Sequence, residues 1–303
     1  MKCTHMLRFN FIFLSILLTI VYCSSNKIGH SDWQLVAAGF EFPEGPAWDG
    51  EGSLYLSNCN SNWIARITES GVDTLIQATD TTFQKTNGLV YVPEGYILGC
   101  DFGKGQIVKI SNDGSVEQFI AGFQGKPFNR PNDIIIDRNG NLYFTDPKSY
   151  NPDVLDGRLF YYNSHDFELT LVADSLAFPN GLEISPLDGR LYVCESALHK
   201  IVCYEINADG MLTDKLDFIE LPGGDPDGIE FDVNGNLYVA HFGGKAIYVI
   251  SPKGDIIEQI ATPGMKPSNL EFAEADMKML YITEDETNSL YRMKTTVPGH
   301  SWY

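Results

Sequence analysis

Six short polar tripeptides recur along the chain, and each is followed by an apolar segment, a tight turn and a second apolar segment. The tripeptides are Pro43-Glu44-Gly45, Thr86-Asn87-Gly88, Pro131-Asn132-Asp133, Pro179-Asn180-Gly181, Pro226-Asp227-Gly228 and Pro267-Ser268-Asn269. Their middle residues lie 43, 45, 48, 47 and 41 residues apart. A period of about 40 to 50 residues with several strands per repeat is typical of a β-propeller. The repeat therefore predicts an all-β fold, a six-bladed β-propeller.

Each repeat can be divided into four strands. Residues 133–137 (DIIID) illustrate the inner strand, and a hairpin turn such as Asn139-Gly140 follows it, because Asn-Gly pairs suit positive φ angles. The second strand opens with the same pair in five repeats: Leu54-Tyr55, Leu142-Tyr143, Leu191-Tyr192, Leu237-Tyr238 and Leu280-Tyr281. Third and fourth strands follow, so each repeat predicts one blade.

The sixth repeat, residues 269–294, lacks a fourth strand. Residues 33–37 (WQLVA) precede the first polar turn and have the pattern of that strand. We therefore expect the N-terminal strand to complete the last blade and close the ring, which leaves no open sheet edge between the first and last blades. A propeller of this kind occupies residues 30–303 as one domain.

Residues 1–23 have the pattern of an export signal. Lys2 and Arg8 precede an apolar run over residues 9–22, which is shorter than the about 20 residues that a membrane span needs. Cys23 ends the run and resembles a lipid-bearing residue, while an ordinary signal cleavage nearby is the alternative. The prediction is an exported protein, periplasmic, secreted or lipid-anchored at the cell envelope, with membrane attachment only through Cys23.

The charge balance argues against one class of partner. The chain has 21 basic and 40 acidic residues and a net charge of −19, whereas binding of nucleic acid needs a basic surface. Cys194 and Cys203 lie on the two sides of one predicted hairpin, where they either pair or remain buried thiols. We expect a small-molecule partner and a monomer or a small homo-oligomer.

The polar turns predict the site. In a propeller the inner strands line the central channel, so turns that are distant in sequence meet near the axis. Glu44 and Asp227 contribute carboxylates, and Asn87, Asn132 and Asn180 contribute amides. Such oxygen donors suit a hard cation, calcium before magnesium.

Further candidates come from the second strand, which runs back to the same face. Its last residues in the six repeats are Asn58, Cys100, Asp146, Glu195, His241 and Glu284. Asp146 and His241 are the preferred substrate contacts, since a histidine near its ordinary pKa can relay a proton. Arg130, beside Asn132, suits an anionic or hydroxyl-rich substrate or a salt bridge to a surface acid.

Several motifs together resemble the SMP-30/gluconolactonase family over essentially the whole mature chain. They are the Glu44-Gly45-Pro46 start, Asn129-Arg130-Pro131-Asn132-Asp133, Tyr143-Phe144-Thr145-Asp146-Pro147, Pro179-Asn180-Gly181-Leu182 and Pro226-Asp227-Gly228. The resemblance implies a six-bladed calcium-dependent propeller that opens sugar lactones. Related propellers, of the diisopropylfluorophosphatase and paraoxonase types, hydrolyse phosphotriesters or lactones and work with zinc or manganese in some cases.

The resemblance also implies roles for individual residues. Glu44, Asn180 and Asp227 would be direct calcium ligands, and Asn132 would be a further ligand or would hold a water beside the metal. Asp227 would also act as general base. Asn87 and Ser268 occupy the same repeat phase and would be outer ligands or part of the wall that binds substrate.

The expected function is hydrolysis of a sugar lactone or a related ester with calcium as Lewis acid. A phosphotriesterase on the same scaffold and a non-catalytic, calcium-stabilised binding propeller are the alternatives, because one fold hosts many functions. A serine-nucleophile hydrolase is not indicated, since the sequence contains no Gly-x-Ser-x-Gly motif.

Overall fold

The computed structural model describes residues 28–301. Within that range, 24 strands form six four-stranded antiparallel sheets around a common axis. The innermost strand of each sheet contains one polar tripeptide or, in the third sheet, directly follows it, which confirms the predicted six-bladed β-propeller. The helical structure in this range is one short 3-10 turn at Ser196–Leu198.

Each blade is numbered by its tripeptide and has its strands in order from the axis outwards. Blades 1 to 3 comprise β2 (Pro43–Trp48), β3 (Leu54–Asn58), β4 (Trp63–Thr68) and β5 (Gly71–Gln77); β6 (Thr86–Val92), β7 (Tyr96–Asp101), β8 (Gln106–Ser111) and β9 (Val116–Ile120); and β10 (Ile134–Ile136), β11 (Leu142–Asp146), β12 (Gly157–Asn163) and β13 (Glu168–Leu176). Blades 4 to 6 comprise β14 (Pro179–Ile184), β15 (Leu191–Glu195), β16 (Lys200–Ile206) and β17 (Leu212–Glu220); β18 (Asp225–Phe231), β19 (Leu237–Phe242), β20 (Ala246–Ile250) and β21 (Ile256–Ala261); and β22 (Pro267–Ala273), β23 (Met279–Glu284), β24 (Ser289–Lys294) and β1 (Gln34–Ala38).

The ring is closed by its N-terminal strand. β1 pairs antiparallel with β24, from Gln34 opposite Arg292 to Ala38 opposite Ser289. The predicted strand was residues 33–37, one residue earlier than the observed one. The two ends of the chain therefore share blade 6, and this confirms the predicted closure.

The Leu-Tyr pair that opens most second strands is explained by packing between blades. Successive residues of a strand point to opposite faces, and the faces of β11 contact two different blades. Leu142 packs in a cluster with residues of blade 2. Tyr143 packs in a cluster with residues of blade 4. The strand is buried along its whole length, and burial of each such leucine contributes about 1.5–3 kcal/mol.

The inner strands approach one another closely at the axis, and this explains the glycine that ends four of the tripeptides. A Cβ atom at Gly45 would lie 2.4 Å from the backbone oxygen of Asn87 in the next blade. A Cβ atom at Gly181 would lie 2.2 Å from the backbone oxygen of Asp227. Asp133 and Asn269 occupy this position in blades 3 and 6, which stand opposite each other in a ring of six.

Some sequence predictions need correction. The inner strand of blade 3 is Ile134–Ile136, shorter than the predicted residues 133–137. The last residue of β7 is Asp101, so Cys100 was the wrong equivalent in blade 2. Cys194 and Cys203 are free thiols, because each faces a different residue across the β15–β16 pair.

The expected export signal, with Cys23, lies outside the described residues and stays a prediction. Within residues 28–301, no helix is long and apolar enough to cross a membrane.

Candidate active site

The polar turns meet at one end of the propeller axis around a cavity of about 410 Å³. Five of the six middle residues line it: Glu44, Asn87, Asn132, Asn180 and Asp227. Arg130 also lines this cavity. The convergence expected from the repeat is therefore present for these side chains.

Glu44 and Asp227 are buried carboxyl groups at the bottom of the cavity. Their residues are 3% and 9% exposed. Burial first, and the negative charge of Asp133 second, raise the pKa of Glu44 to about 8. Burial and then the charge of Glu44 raise the pKa of Asp227 well above its ordinary value. Negative charges on Glu44 and Asp227 would therefore repel each other in this buried part of the cavity.

The donor set fits a divalent cation. Among the described residues, neither Glu44 nor Asp227 forms an ion pair with a lysine, arginine or histidine, and a cation would offset their repulsion. No three histidine, cysteine, aspartate or glutamate side chains of residues 28–301 are grouped so that they could hold a metal by themselves. A cation held by the two carboxylates would therefore also need the amide oxygens of Asn132 and Asn180. Oxygen donors of both kinds suit calcium.

Sequence reasoning missed two residues, Asp133 and Asn269, that influence this site from outside the cavity lining. The side-chain amide of Asn269 offsets part of the pKa rise of Glu44 and of Asp133. Burial raises the pKa of Asp133 to about 7. The sequence did contain a signal for both residues. Asp133 and Asn269 end their tripeptides, whereas the other four tripeptides end in glycine.

A second cavity, of about 740 Å³, is lined by the inner strands of the blades. Asp133 and Asn269 line it, together with Glu183, Glu230 and Glu271. Burial raises the pKa of Glu230 and of Glu271, and the negative charges of neighbouring glutamates raise both further. None of the predicted metal ligands lines this larger cavity, so the smaller one is the candidate active site.

Ser268, the sixth middle residue, does not line the candidate active site. Its side chain is fully buried, and its hydroxyl donates to the backbone oxygen of Pro43, 2.9 Å away. The hydroxyls of Ser57, Thr145 and Ser196 donate in the same way to Asn87, Asn180 and Pro226 of the next blade, at 2.6, 2.9 and 2.7 Å. Four polar turns are thus held in place by a hydroxyl group from the neighbouring blade.

Asp146 does not line the cavity either. It is fully buried, and its Oδ1 accepts a hydrogen bond of 2.8 Å from the backbone N–H of Arg130. Its Oδ2 accepts from Nε of Arg158 at 3.0 Å. Asp146 thereby holds the loop that presents Arg130 and Asn132, and its expected contact with substrate stays a prediction.

The same arrangement recurs in four other blades, where the last residue of the second strand, or its equivalent, holds the loop before the polar turn. The backbone N–H groups of Glu41, Lys85, Ala177 and Lys266 donate to Asn58, Asp101, Glu195 and Glu284, at 2.7, 2.9, 3.0 and 2.7 Å. These polar strand ends are structural supports of the cavity rim.

His241 occupies this position in blade 5 and is 1% exposed. Its Nε2 lies 3.1 Å from the backbone oxygen of Leu221, and its ring packs against Tyr248. Burial lowers the pKa of His241, so the imidazole is neutral at pH 7. The imidazole does not line the cavity, and its expected contact with substrate stays a prediction.

The upper wall of the cavity is aromatic, a feature that the sequence analysis did not identify. Phe42, Phe102, Tyr150, Phe178 and Phe242 line it; we call these five residues the aromatic collar. Phe42 and Phe178 have φ angles of +63° and +54°, and each directly precedes a proline. A left-handed backbone is disfavoured for a bulky residue and for a residue before proline. It costs about 1–3 kcal/mol for each residue.

Comparison with known proteins gave one family profile and many relatives. The profile described as "SMP-30/Gluconolactonase/LRE-like region" matches residues 42–285. A gluconolactonase of Zymomonas mobilis is 30% identical over 292 residues, covering 86% of this chain and 81% of the relative. The diisopropyl-fluorophosphatase of Loligo vulgaris is 27% identical over 294 residues, covering 86% and 91%.

Solved structures agree with these matches. A gluconolactonase of Xanthomonas campestris superposes with a TM-score of 0.76 at 28% identity, covering 87% of this chain and 89% of that one. A calcium-binding regucalcin of Agrobacterium tumefaciens superposes with a TM-score of 0.75 at 17% identity, covering 88% and 94%, which shows a shared fold.

Proposed function

Since the chain belongs to the SMP-30/gluconolactonase/LRE-like family, we propose that it is a calcium-dependent hydrolase that opens a lactone ring. The observation that carries this proposal is the meeting of Glu44, Asn132, Asn180 and Asp227 in one cavity, in a gluconolactonase-like chain. These four residues would hold the cation. Regucalcin of the same fold is a calcium-binding protein.

When bound, calcium would polarise the ring carbonyl and stabilise the negative charge that develops on its oxygen. Asp227 would remove a proton from the attacking water, whose oxygen forms the new bond to the carbonyl carbon. The bond between that carbon and the ring oxygen then breaks, and the proton passes from Asp227 to the ring oxygen. The product is the open hydroxy acid.

The environment of Asp227 suits this role. Burial and the negative charge of Glu44 raise the pKa of Asp227 in the metal-free protein. Bound calcium would lower this pKa, so that Asp227 would be present as the carboxylate that accepts a proton. The side-chain amide of Asn180 offsets part of the rise in the pKa of Asp227. Asn87 and Arg130 line the same cavity and would contact the substrate, while Asp146 and Ser268 would position the loop of Arg130 and the turn of Glu44.

The experiment that tests the proposal is hydrolysis of glucono-1,5-lactone and of aliphatic lactones, with EDTA and with calcium restored. We expect hydrolysis to be lost in EDTA and to return with calcium. Asp227→Asn keeps an oxygen ligand but cannot accept the proton, so kcat should fall by about 10²–10⁴-fold while calcium still raises Tm. Asp73→Asn, at an exposed strand position, is the matched control and should behave as the unmodified protein.

Retained hydrolysis in Asp227→Asn would overturn the assignment of the base. If calcium raises Tm but no lactone is opened, the site would be a metal site without lactonase activity.

A phosphotriesterase is the second candidate, favoured by the match to diisopropyl-fluorophosphatase over 86% of the chain. The same cation would then polarise a phosphoryl oxygen. Assay of a fluorophosphate beside the lactones distinguishes the two, because the preferred substrate has the higher kcat/KM.

A further inference from the structure

The candidate active site is aromatic at its mouth and polar at its bottom, where Glu44 and Asp227 lie. We call these two residues the polar floor. Five of the six blades each contribute one ring to the aromatic collar: Phe42, Phe102, Tyr150, Phe178 and Phe242, from blades 1 to 5 in that order. Tyr150 is 54% exposed, and the four phenylalanines are half-buried. Core phenylalanines such as Phe144 and Phe160 are fully buried. The collar therefore presents partly exposed aromatic rings to the cavity.

The collar is held in position by the backbone. Phe42 and Phe178 immediately precede the first residue of their polar turns, in blades 1 and 4, which stand opposite each other in a ring of six. Both have left-handed φ angles, and both carbonyl groups are fixed by hydrogen bonds, from the N–H of Cys59 at 3.0 Å and of Ser196 at 3.2 Å. Strained bulky residues that the surrounding structure holds are typical of functional sites.

Contacts among the rings order the collar further. Phe178 packs edge-on against Tyr150, with ring centroids 5.2 Å apart, and Phe42 lies 6.2 Å from Phe242. The guanidinium group of Arg130 lies 5.9 Å from the Phe102 ring and 6.0 Å from the Phe178 ring. Arg130 therefore lies over two of the five collar rings, and Phe42, Tyr150 and Phe242 line the rest of the collar.

We propose that the substrate is a lactone with an apolar alkyl or aryl substituent, whose ring lies on the polar floor while the substituent packs within the aromatic collar. This inference rests on the proposed function, because it names the substrate class of the same site. An apolar substituent gains free energy by leaving water for such a wall. A sugar lactone would instead place hydroxyl groups against the rings and lose hydrogen bonds to water.

The test is kcat/KM along a series of lactones: δ-valerolactone and its methyl, propyl and pentyl derivatives, with glucono-1,5-lactone as the polar comparison. We expect kcat/KM to rise by about fourfold for each buried methylene, up to the length that the collar covers. Phe178→Ala and Phe242→Ala should each reduce the ratio of kcat/KM for the pentyl and unsubstituted lactones by about tenfold.

Phe167→Ala is the matched control. Phe167 also has a positive φ angle, +57°, but is 78% exposed and does not line the cavity. Its variant should leave both activity and the ratio unchanged. A kcat/KM that is flat or falls along the series would overturn the proposal. So would collar variants that keep the Tm of the unmodified protein and show the same ratio of kcat/KM for the pentyl and unsubstituted lactones.

A binding measurement separates this inference from the proposed function. The probes are cyclopentanone and 2-pentylcyclopentanone, which cannot be hydrolysed, studied by calorimetry with the calcium-loaded protein. Tighter binding of the pentyl compound, weakened in Phe178→Ala, would support the collar even if no lactone were opened. Equal binding of the two ketones would overturn it, whether or not lactones are hydrolysed.

Discussion

At the residue scale, the buried carboxyl groups of the candidate active site are the most informative feature. Glu44 and Asp133 have pKa values of about 8 and about 7, chiefly because burial disfavours their charged forms. A raised carboxyl pKa means that the folded protein binds protons more tightly than the unfolded chain. This contribution to stability is fully present below about pH 4, the unfolded pKa of a carboxyl group. It is lost as the pH rises through 7 and 8.

We therefore expect the Tm of the protein in EDTA to fall as the pH is raised from 5 to 8. Calcium should raise Tm more at pH 8 than at pH 5, because ligand carboxylates must lose their protons to bind metal. Differential scanning calorimetry across this pH range, with EDTA or calcium, measures both effects. In EDTA, Glu44→Gln should reduce the pH dependence, and Glu69→Gln, at an exposed position, should not. A Tm in EDTA that is constant or rises between pH 5 and 8 would contradict the argument.

At the scale of the strand and its turn, the site is assembled by hydrogen bonds between neighbouring blades. The hydroxyl of Ser268 in blade 6 reaches the backbone of Pro43 in blade 1, and Thr283 also contacts that hydroxyl at 2.8 Å. The acceptor group is the carbonyl directly before Glu44. The position of Glu44 therefore depends on Ser268, a residue that lies 225 positions from Pro43 in the sequence.

We expect Ser268→Ala to lower stability by about 1–3 kcal/mol, because the buried carbonyl of Pro43 loses its donor. It should also weaken calcium binding severalfold, since the Glu44 turn is no longer held. Chemical denaturation and calcium titration by calorimetry measure these effects. Ser70→Ala, at an exposed hydroxyl, should change neither. Lower stability with unchanged calcium affinity would show that Ser268 supports the fold but not the site.

At the scale of the whole molecule, the six inner strands must approach closely for their turns to share one cavity. A Cβ atom at Gly228 would lie 2.1 Å from Oδ1 and 2.7 Å from Cα of Asn269. Because one of these atoms is backbone, a larger residue would force blades 5 and 6 apart. The dimensions of the cavity therefore depend on glycine at this point.

Gly228→Ala should consequently destabilise the fold by about 3 kcal/mol and weaken calcium binding. The matched control is Gly99→Ala in β7, where the nearest atom to an added Cβ is the end of the flexible Leu89 side chain at 3.0 Å. Thermal unfolding of both variants, with and without calcium, makes the comparison. Equal Tm values for Gly228→Ala and Gly99→Ala would show that the inner strands of blades 5 and 6 can move apart without loss of stability.

Most of the architecture follows from local sequence. Polar turns, Asn-Gly hairpins and Leu-Tyr strands repeat at a regular interval, so the number of blades and the closing strand could be predicted. The strand pattern predicted closure at residues 33–37 and the structure shows Gln34–Ala38. One-residue errors of this kind had consequences in β7, where Asp101 rather than Cys100 supports the loop.

The sequence alone also determined which residues meet at the axis, since Glu44, Asn87, Asn132, Asn180 and Asp227 share one phase of the repeat. Only the tertiary structure decided which side chains reach the cavity. Ser268 has the same phase but bonds to Pro43, His241 does not line the cavity, and Phe42 and Phe178 enter it through left-handed backbone conformations. The reason is physical: a repeat sets backbone position, whereas side-chain direction depends on packing and hydrogen bonds with blades far away in the sequence.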